Sequence, residues 1–265
     1  MSSPSPDQEP PVISDFRDGI ARLTLNNPAR KNAITRDMAQ LMEQFCDRVE
    51  SDETIGAAII DARGGYFCSG ADTRDLAVAS SDPASSEALS RTSAVYTSFT
   101  RVGLLPVPSV AVVAGGAVGA GINLAMATDV LLVTPDAVLD SGFLARGIHP
   151  GGGHFSLLGR SLNRQQAIVL GALGVTITGA QAQRLGLAWL ACDAMTIGNQ
   201  ANDMVAIAAR DPLLARRIKK SADLELGPSA VPWAAAIELE RGVQMWSLGR
   251  KGEAGWSPAA KPSGG

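Results

Sequence analysis

Val107-Pro-Ser-Val-Ala-Val-Val-Ala-Gly-Gly-Ala-Val-Gly-Ala-Gly-Ile-Asn-Leu-Ala-Met-Ala-Thr-Asp129 is the stretch whose reading decides the fold. It opens as a valine-rich apolar run, breaks at paired glycines and resumes as an alanine-rich segment, which predicts strand, tight turn and buried helix. A helix start of this kind aims unpaired backbone N–H groups into the turn, and small residues let a partner approach them. That is a place for developing negative charge. Val102 to Thr128 carries no charged side chain, but Pro106, Pro108 and the glycines divide it into pieces shorter than the roughly 20 apolar residues of a membrane span.

Outward from that stretch the chain reads as one α/β core followed by helices. Val12–Phe16 and Ile20–Leu25 form a predicted hairpin through Asp18-Gly19, and Thr35 caps a helix with Met38, Leu41, Met42, Phe45 and Val49 on one face. Ile55–Ile60 is a buried strand, leading to a second small-residue turn, Gly64 to Asp72, and a short helix at Thr73–Ala77. Serines and Asp82-Pro83 between Val78 and Arg91 predict a surface loop, before a helix to about Val102. Val130–Val133 is a strand, and Gly147 to His154 a third turn rich in glycine. Asn163–Leu170, Gly179–Gly186, Asn199–Arg210, Pro212–Leu224 and Val231–Leu248 are predicted helices.

Composition narrows the class. The 265 residues are 46% hydrophobic and 18% charged, with net charge −3, so the chain is globular and has no general attraction for nucleic acid. Cys46, Cys68 and Cys192 are scattered without metal-ligand spacing and read as reduced thiols of a cytoplasmic protein. The first eleven residues, with no basic or apolar region, read as a loose tail rather than a signal peptide.

Taken in order, these turns resemble those of the crotonase family, the enoyl-CoA hydratase/isomerase superfamily, over about residues 12 to 250. The resemblance rests on Asn27-Pro28 with Asn32-Ala33, Phe67-Cys68-Ser69-Gly70-Ala71-Asp72, Gly115 to Asp129, Gly147 to Gly153, and Thr178 to Leu187. It implies a spiral of ββα units (residues 12–195) with a helical C-terminal oligomerisation region (196–250), flanked by tails at 1–11 and 251–265. It also implies an acyl-CoA substrate, no separate cofactor or metal, no nucleic-acid or membrane partner, and assembly as a homotrimer or homohexamer.

The same resemblance implies a pair of N–H donors, from Ala71 and Ala120, for the enolate oxygen of a thioester. Ala33, Ser69, Asp72, Thr73, Arg74, Gly119 and Phe143 would border the substrate, with Arg74 near the nucleotide phosphates, Arg30 and Lys31 as weaker candidates there, and Asp72 fixing the turn. Hydratases of the family use two glutamates, and counting from Gly121 and Gly147 places Asn123 and Phe143 at those positions. Neither exchanges a proton near neutral pH. Asp140, His149 and His154 are the substitute acid–base candidates, each set against a role in its turn. Gly151 stands where a nucleophilic dehalogenase or hydrolase would carry a carboxylate, and Ser69, Ser141 and Cys68 lack the context of an activated nucleophile. Two classes remain: an enoyl-CoA hydratase/isomerase-like enzyme, and a noncatalytic acyl-CoA binding protein that keeps the two N–H groups as a thioester clamp.

Overall fold

The computed structural model describes residues 9–226 and 233–256. The tail expected at 1–11 lies outside them up to residue 8, as do the first two positions of the helix expected at Val231–Leu248 and residues 257–265.

Two antiparallel strands, β1 (Val12–Arg17) and β2 (Ile20–Leu25), open the chain. Their turn places Asp18 and Gly19 at φ 51° and 77°, the left-handed pair a two-residue hairpin loop requires. Helix α1 (Arg36–Ser51) starts at Thr35, whose hydroxyl accepts from Met38 N, and buries Met38, Met42, Phe45 and Val49. Leu41 is only partly buried at the edge of that stripe.

After β3 (Ala57–Ala62), helices α2 (Thr73–Ser81) and α3 (Ser86–Gly103) fill most of the expected serine-rich loop. Ser85 caps α3 through Ala88 N, which confines the break to Asp82–Ser85, where serine serves as a cap rather than as loop filler. Strand β4 (Ser109–Val113) then turns at Gly115 into a second strand, β5 (Gly116–Val118), before helix α4 (Ala120–Ala127). The expected strand–turn–helix is therefore strand–strand–helix. Val130–Val133 is β6 and Val138–Asp140 is β7, the partner that defines β5.

Helices α5 (His154–Ser161) and α6 (Arg164–Ala167) follow, the latter widening into a π-turn at Ile168–Ala172, then β8 (Ile177–Thr178), α7 (Gly179–Leu185) and β9 (Leu190–Ala191). The remainder is helical: α8 (Ile197–Arg210), α9 (Pro212–Glu225) and α10 (Trp233–Lys251). On α8, Ala201 and Val205 are buried against the sheet, whereas Met204 faces outward.

The strands form two sheets. One has the order β1-β2-β3-β4-β6-β9 and is parallel beyond its first hairpin, and the other is β5-β7-β8. A parallel sheet needs both faces covered. One face packs on α1, α3 and α4 around Phe45, Phe99 and Leu124, the other on α8 around Ile59, Val110 and Leu132. Glu253–Trp256, expected within a tail, forms a 3₁₀ turn instead, because the Trp256 indole donates to Ser80 Oγ (2.8 Å) and its ring packs beside Met245 and Leu248. No helix among the described residues is long and apolar enough to cross a membrane.

Candidate functional site

Two backbone segments meet where the sheets separate. Phe67 N and Cys68 N both donate to Gly116 O, and Val118 N donates to Cys68 O, so residues 67–71 run alongside β5. On the other side Ile34 N donates to Gly70 O and Asp72 N to Ile34 O. In that parallel bridge the groups flanking Ala71 face Ile34, so the N–H of Ala71 points the other way, without a backbone acceptor among the described residues. Ala120 is the first residue of α4, and its N–H is likewise unclaimed, as helix starts dictate.

Gly70 brings the two together. Its φ is 103°, and a side chain there would begin 2.9 Å from Val118 O and 3.5 Å from Ala120 N. Gly121 allows equally close packing, since a Cβ on it would lie 2.2 Å from Cys68 O.

Both N–H groups border a cleft of about 770 Å³ of empty space, counting its mouth, between α2, α3, α4 and α10. Ser69, Ala71, Thr73, Gly119, Ala120, Asn123 and Phe143 line it. Of the other residues expected at the site, Ala33 is buried off the wall, while Asp72 is a buried anchor: its carboxylate caps α2 at Arg74 N (2.8 Å) and pairs with Arg30 (2.7 Å) and Arg74 (3.1 Å). The Arg74 guanidinium is otherwise solvated, and Asp72 is flanked by two cations. Lys31 instead lies over the Tyr66 ring.

The three acid–base candidates stand apart from the cleft. Asp140 Oδ1 accepts from Gly142 N (2.8 Å), a turn contact. His149 turns its Nδ1 onto Pro150 O (2.7 Å), and its backbone N–H donates to Ser247 Oγ. His154 is fully buried: Nδ1 lies 2.8 Å from Asn123 Oδ1 and Nε2 2.8 Å from Ser141 Oγ.

Because Asn123 Nδ2 donates to Gly151 O (3.0 Å), its Oδ1 is the acceptor, which assigns the proton to His154 Nδ1 and makes Nε2 accept from Ser141. Burial pushes the ring down to about 3, so it is neutral at physiological pH. The Ser–His–Asn order has the connectivity of a nucleophile, base and orienting amide, but Ser141 is 2% exposed and off the cleft wall. The network fixes Asn123 and does not present a nucleophile. None of the three lines the cleft: Asp140 Oδ1 and His149 Nδ1 are engaged in their own turns, and both ring nitrogens of His154 are engaged in the core.

Several lining residues were not apparent from sequence. Asp75 and Arg91 face the cleft as an ion pair (2.6 Å), Tyr96 and Gln244 reach it from α3 and α10, and Trp256 closes one side. The signal for Tyr96 was its place with Thr92, Val95 and Phe99 on one helical face. Glu240, on α10, caps α5 by accepting from Gly153 N (2.9 Å) and His154 N (3.2 Å), and burial raises its carboxyl above the usual range. Among the described residues no cluster of three or more His, Cys, Asp or Glu is placed to hold a metal.

The family model described as enoyl-CoA hydratase/isomerase matches residues 15–244, and this chain belongs to that family. It is 32% identical over 251 residues to a Mycobacterium tuberculosis protein named "Probable enoyl-CoA hydratase echA14", covering 95% of this chain and 94% of that one. It is 29% identical over 211 residues to the 1,2-epoxyphenylacetyl-CoA isomerase of Escherichia coli, covering 80% of each. Among solved structures, an enoyl-CoA hydratase from Bacillus halodurans superposes with TM-score 0.83 at 20% identity, covering 93% of this chain and 99% of the other, a likeness of fold. OdaA of Pseudomonas aeruginosa superposes with TM-score 0.79 at 28% identity, covering 93% and 96%.

Proposed function

We propose that this protein binds an acyl-CoA thioester with its carbonyl oxygen between Ala71 N–H and Ala120 N–H, and that it moves a proton on the resulting enolate. The observation that carries this reading is the convergence of those two unclaimed amides on one cleft. Fixed donors aimed at a developing oxyanion stabilise it without reorganising, and loss of one such donor costs about 3 to 4 kcal/mol in comparable sites. The names of both relatives describe chemistry on CoA thioesters, which supports the same substrate class.

Double-bond migration fits the cleft better than hydration. Hydration needs a group that takes a proton from water, and Asn123 has its amide oxygen and nitrogen engaged by His154 and Gly151. Phe143 offers only an apolar edge. Asp75 is the one carboxylate on the wall among the described residues, and it is the base this reading uses.

The second reading, a noncatalytic acyl-CoA binder, is favoured by the Arg91 guanidinium that already holds Asp75. Mass spectrometry of enoyl-CoA and acyl-CoA panels incubated in deuterium oxide separates the two. Enzyme-dependent deuterium uptake or bond migration, abolished by Asp75→Asn while binding persists, supports the isomerase reading. Binding with no exchange on any member supports the binder. Absence of binding to every thioester contradicts both.

A further inference from the structure

The charged residues of the cleft wall do not balance. Asp75, Arg91 and Arg146 are the three on it among the described residues. Arg91 is held by Asp75 (2.6 Å) and by Glu87 (2.8 Å) of its own helix. Arg146 forms no ion pair with any described residue, and its side chain makes one hydrogen bond among them, from Nη1 to Gly142 O (2.8 Å). Asp140, the acid nearest to it in sequence, instead accepts from Gly142 N (2.8 Å).

That bond leaves the Nε and Nη2 edge of the guanidinium without a protein acceptor, on a residue that is open to solvent. A guanidinium edge grips a carboxylate through two parallel hydrogen bonds. Lys251 brings a second positive charge to the same turn: its Nζ donates to Arg146 O and lies 4.5 Å from the ring centroid of Trp256, another wall residue.

Backbone contacts place this cation relative to the two amides. Gly119 N donates to Asp140 O (3.1 Å), and a Cβ on Gly142 would lie 2.7 Å from Val118 Cγ1, so the turn that Arg146 folds onto is strapped to the residues just before Ala120. Val118 precedes Ala120 by two residues, which sets the guanidinium on the order of 7 to 10 Å from the amides that would hold the thioester oxygen. Val118, Phe143 and Ile148 line the wall there, apolar surface suited to methylene groups. The phosphates of CoA lie beyond the whole pantetheine arm, so from a thioester seated on those amides the anion within this reach is one on the acyl chain. We infer that Arg146 is a specificity residue for an acyl-CoA whose chain ends in a second carboxylate, a short dicarboxylic monothioester. This rests on the acyl-CoA reading of the cleft.

Calorimetric titration tests it with succinyl-, glutaryl- and adipoyl-CoA against butyryl-, pentanoyl- and hexanoyl-CoA, on wild type, Arg146→Gln and Arg146→Met. At least one dicarboxylic ligand should bind wild type about 10-fold or more tightly than its monocarboxylic counterpart, because a charge-assisted pair is about twice as strong as a neutral hydrogen bond. Either substitution should erase that preference while leaving the affinity of the monocarboxylic ligand within about twofold. Equal affinity within every pair in wild type, or a preference that survives the substitutions, overturns the role of Arg146. An equal loss of affinity for both members of each pair overturns it too, and assigns the cation to the CoA phosphates that they share. In each of these cases acyl-CoA still binds wild type, whereas failure of all thioesters to bind it removes the acyl-CoA reading and the subsite together. If one variant does not fold, the other decides.

Discussion

His154 Nδ1 sits 2.8 Å from Asn123 Oδ1, inside the core, with no water-facing surface on the imidazole. A titratable ring is therefore used as a fixed strut for the amide at the cleft.

That strut makes stability depend on pH. Burial lowers the folded His154 value to about 3, while an unfolded histidine titrates near 6.5. Between those values the unfolded chain binds the extra proton, so the contribution is complete above about pH 6.5 and is lost progressively as pH falls toward 3. Urea denaturation of wild type and His154→Gln at pH 7, 6, 5 and 4 should show a wild-type slope steeper by up to one proton, about 1.4 kcal/mol per pH unit. Identical slopes would mean that the ring is accessible and charged in the folded protein.

Contact between Gly121 and Cys68 sets the spacing of the two amide segments. Gly121→Ala forces a methyl group against Cys68 O, whose distance from that Cβ would be 2.2 Å, and should destabilise by about 1 to 3 kcal/mol while weakening acyl-CoA binding. Gly159→Ala on α5 meets open space and should instead stabilise by about 0.5 to 1 kcal/mol. Denaturation midpoints of the two variants should move in opposite directions.

Arg216 ties α9 to the end of α1. Its Nε donates to Ile55 O (3.0 Å), and one terminal nitrogen donates to Val49 O (2.6 Å) and Asp52 O (2.8 Å). A guanidinium satisfies such helix-end carbonyls well, and Arg216→Ala should cost about 2 to 3 kcal/mol in thermal or chemical denaturation. Arg216→Lys should fall between, because an ammonium cannot span all three oxygens.

The outer faces of α8 and α9 leave Ile207, Leu213, Leu214 and Ile218 between 50% and 79% exposed. Four large apolar side chains on adjoining helices suit burial against further copies of the chain. Light scattering should give three or six times the mass of one chain, and Ile207→Glu with Ile218→Glu should lower it. A single-chain mass for the unaltered protein would rule this assembly out.

Local chemistry was legible where it acts locally. Asp18-Gly19 announced its hairpin and Thr35 its helix, because each signal is completed within a few residues. Strand β5 escaped detection because Gly116–Val118 becomes a strand only through Val138–Asp140, a pairing that no local pattern encodes. That Ala71 and Ala120 border one cleft was legible in the order of the small-residue turns, where close approach of two backbone segments asks only for small side chains. The burial of His154 was not legible in the same way. His154 follows a glycine-rich turn, yet it is fully buried between Phe143 and Phe155, with Asn123 and Ser141 on its two ring nitrogens. Trp256 and Ser80 are joined across 176 positions, which composition at either end does not suggest.

Isotope-edited infrared spectroscopy of a [1-¹³C]acyl-CoA reads at the carbonyl the proposed grip of Ala71 N–H and Ala120 N–H on one thioester oxygen. Ala120 is the first residue of α4, where proline is tolerated, so Ala120→Pro removes one N–H with little cost to the helix. The bound carbonyl band should lie at lower frequency than in water, with the shift largely lost in folded Ala120→Pro and turnover, where present, reduced about 10²- to 10³-fold. A bound carbonyl at its solution frequency, or an equal shift in both proteins, would contradict it.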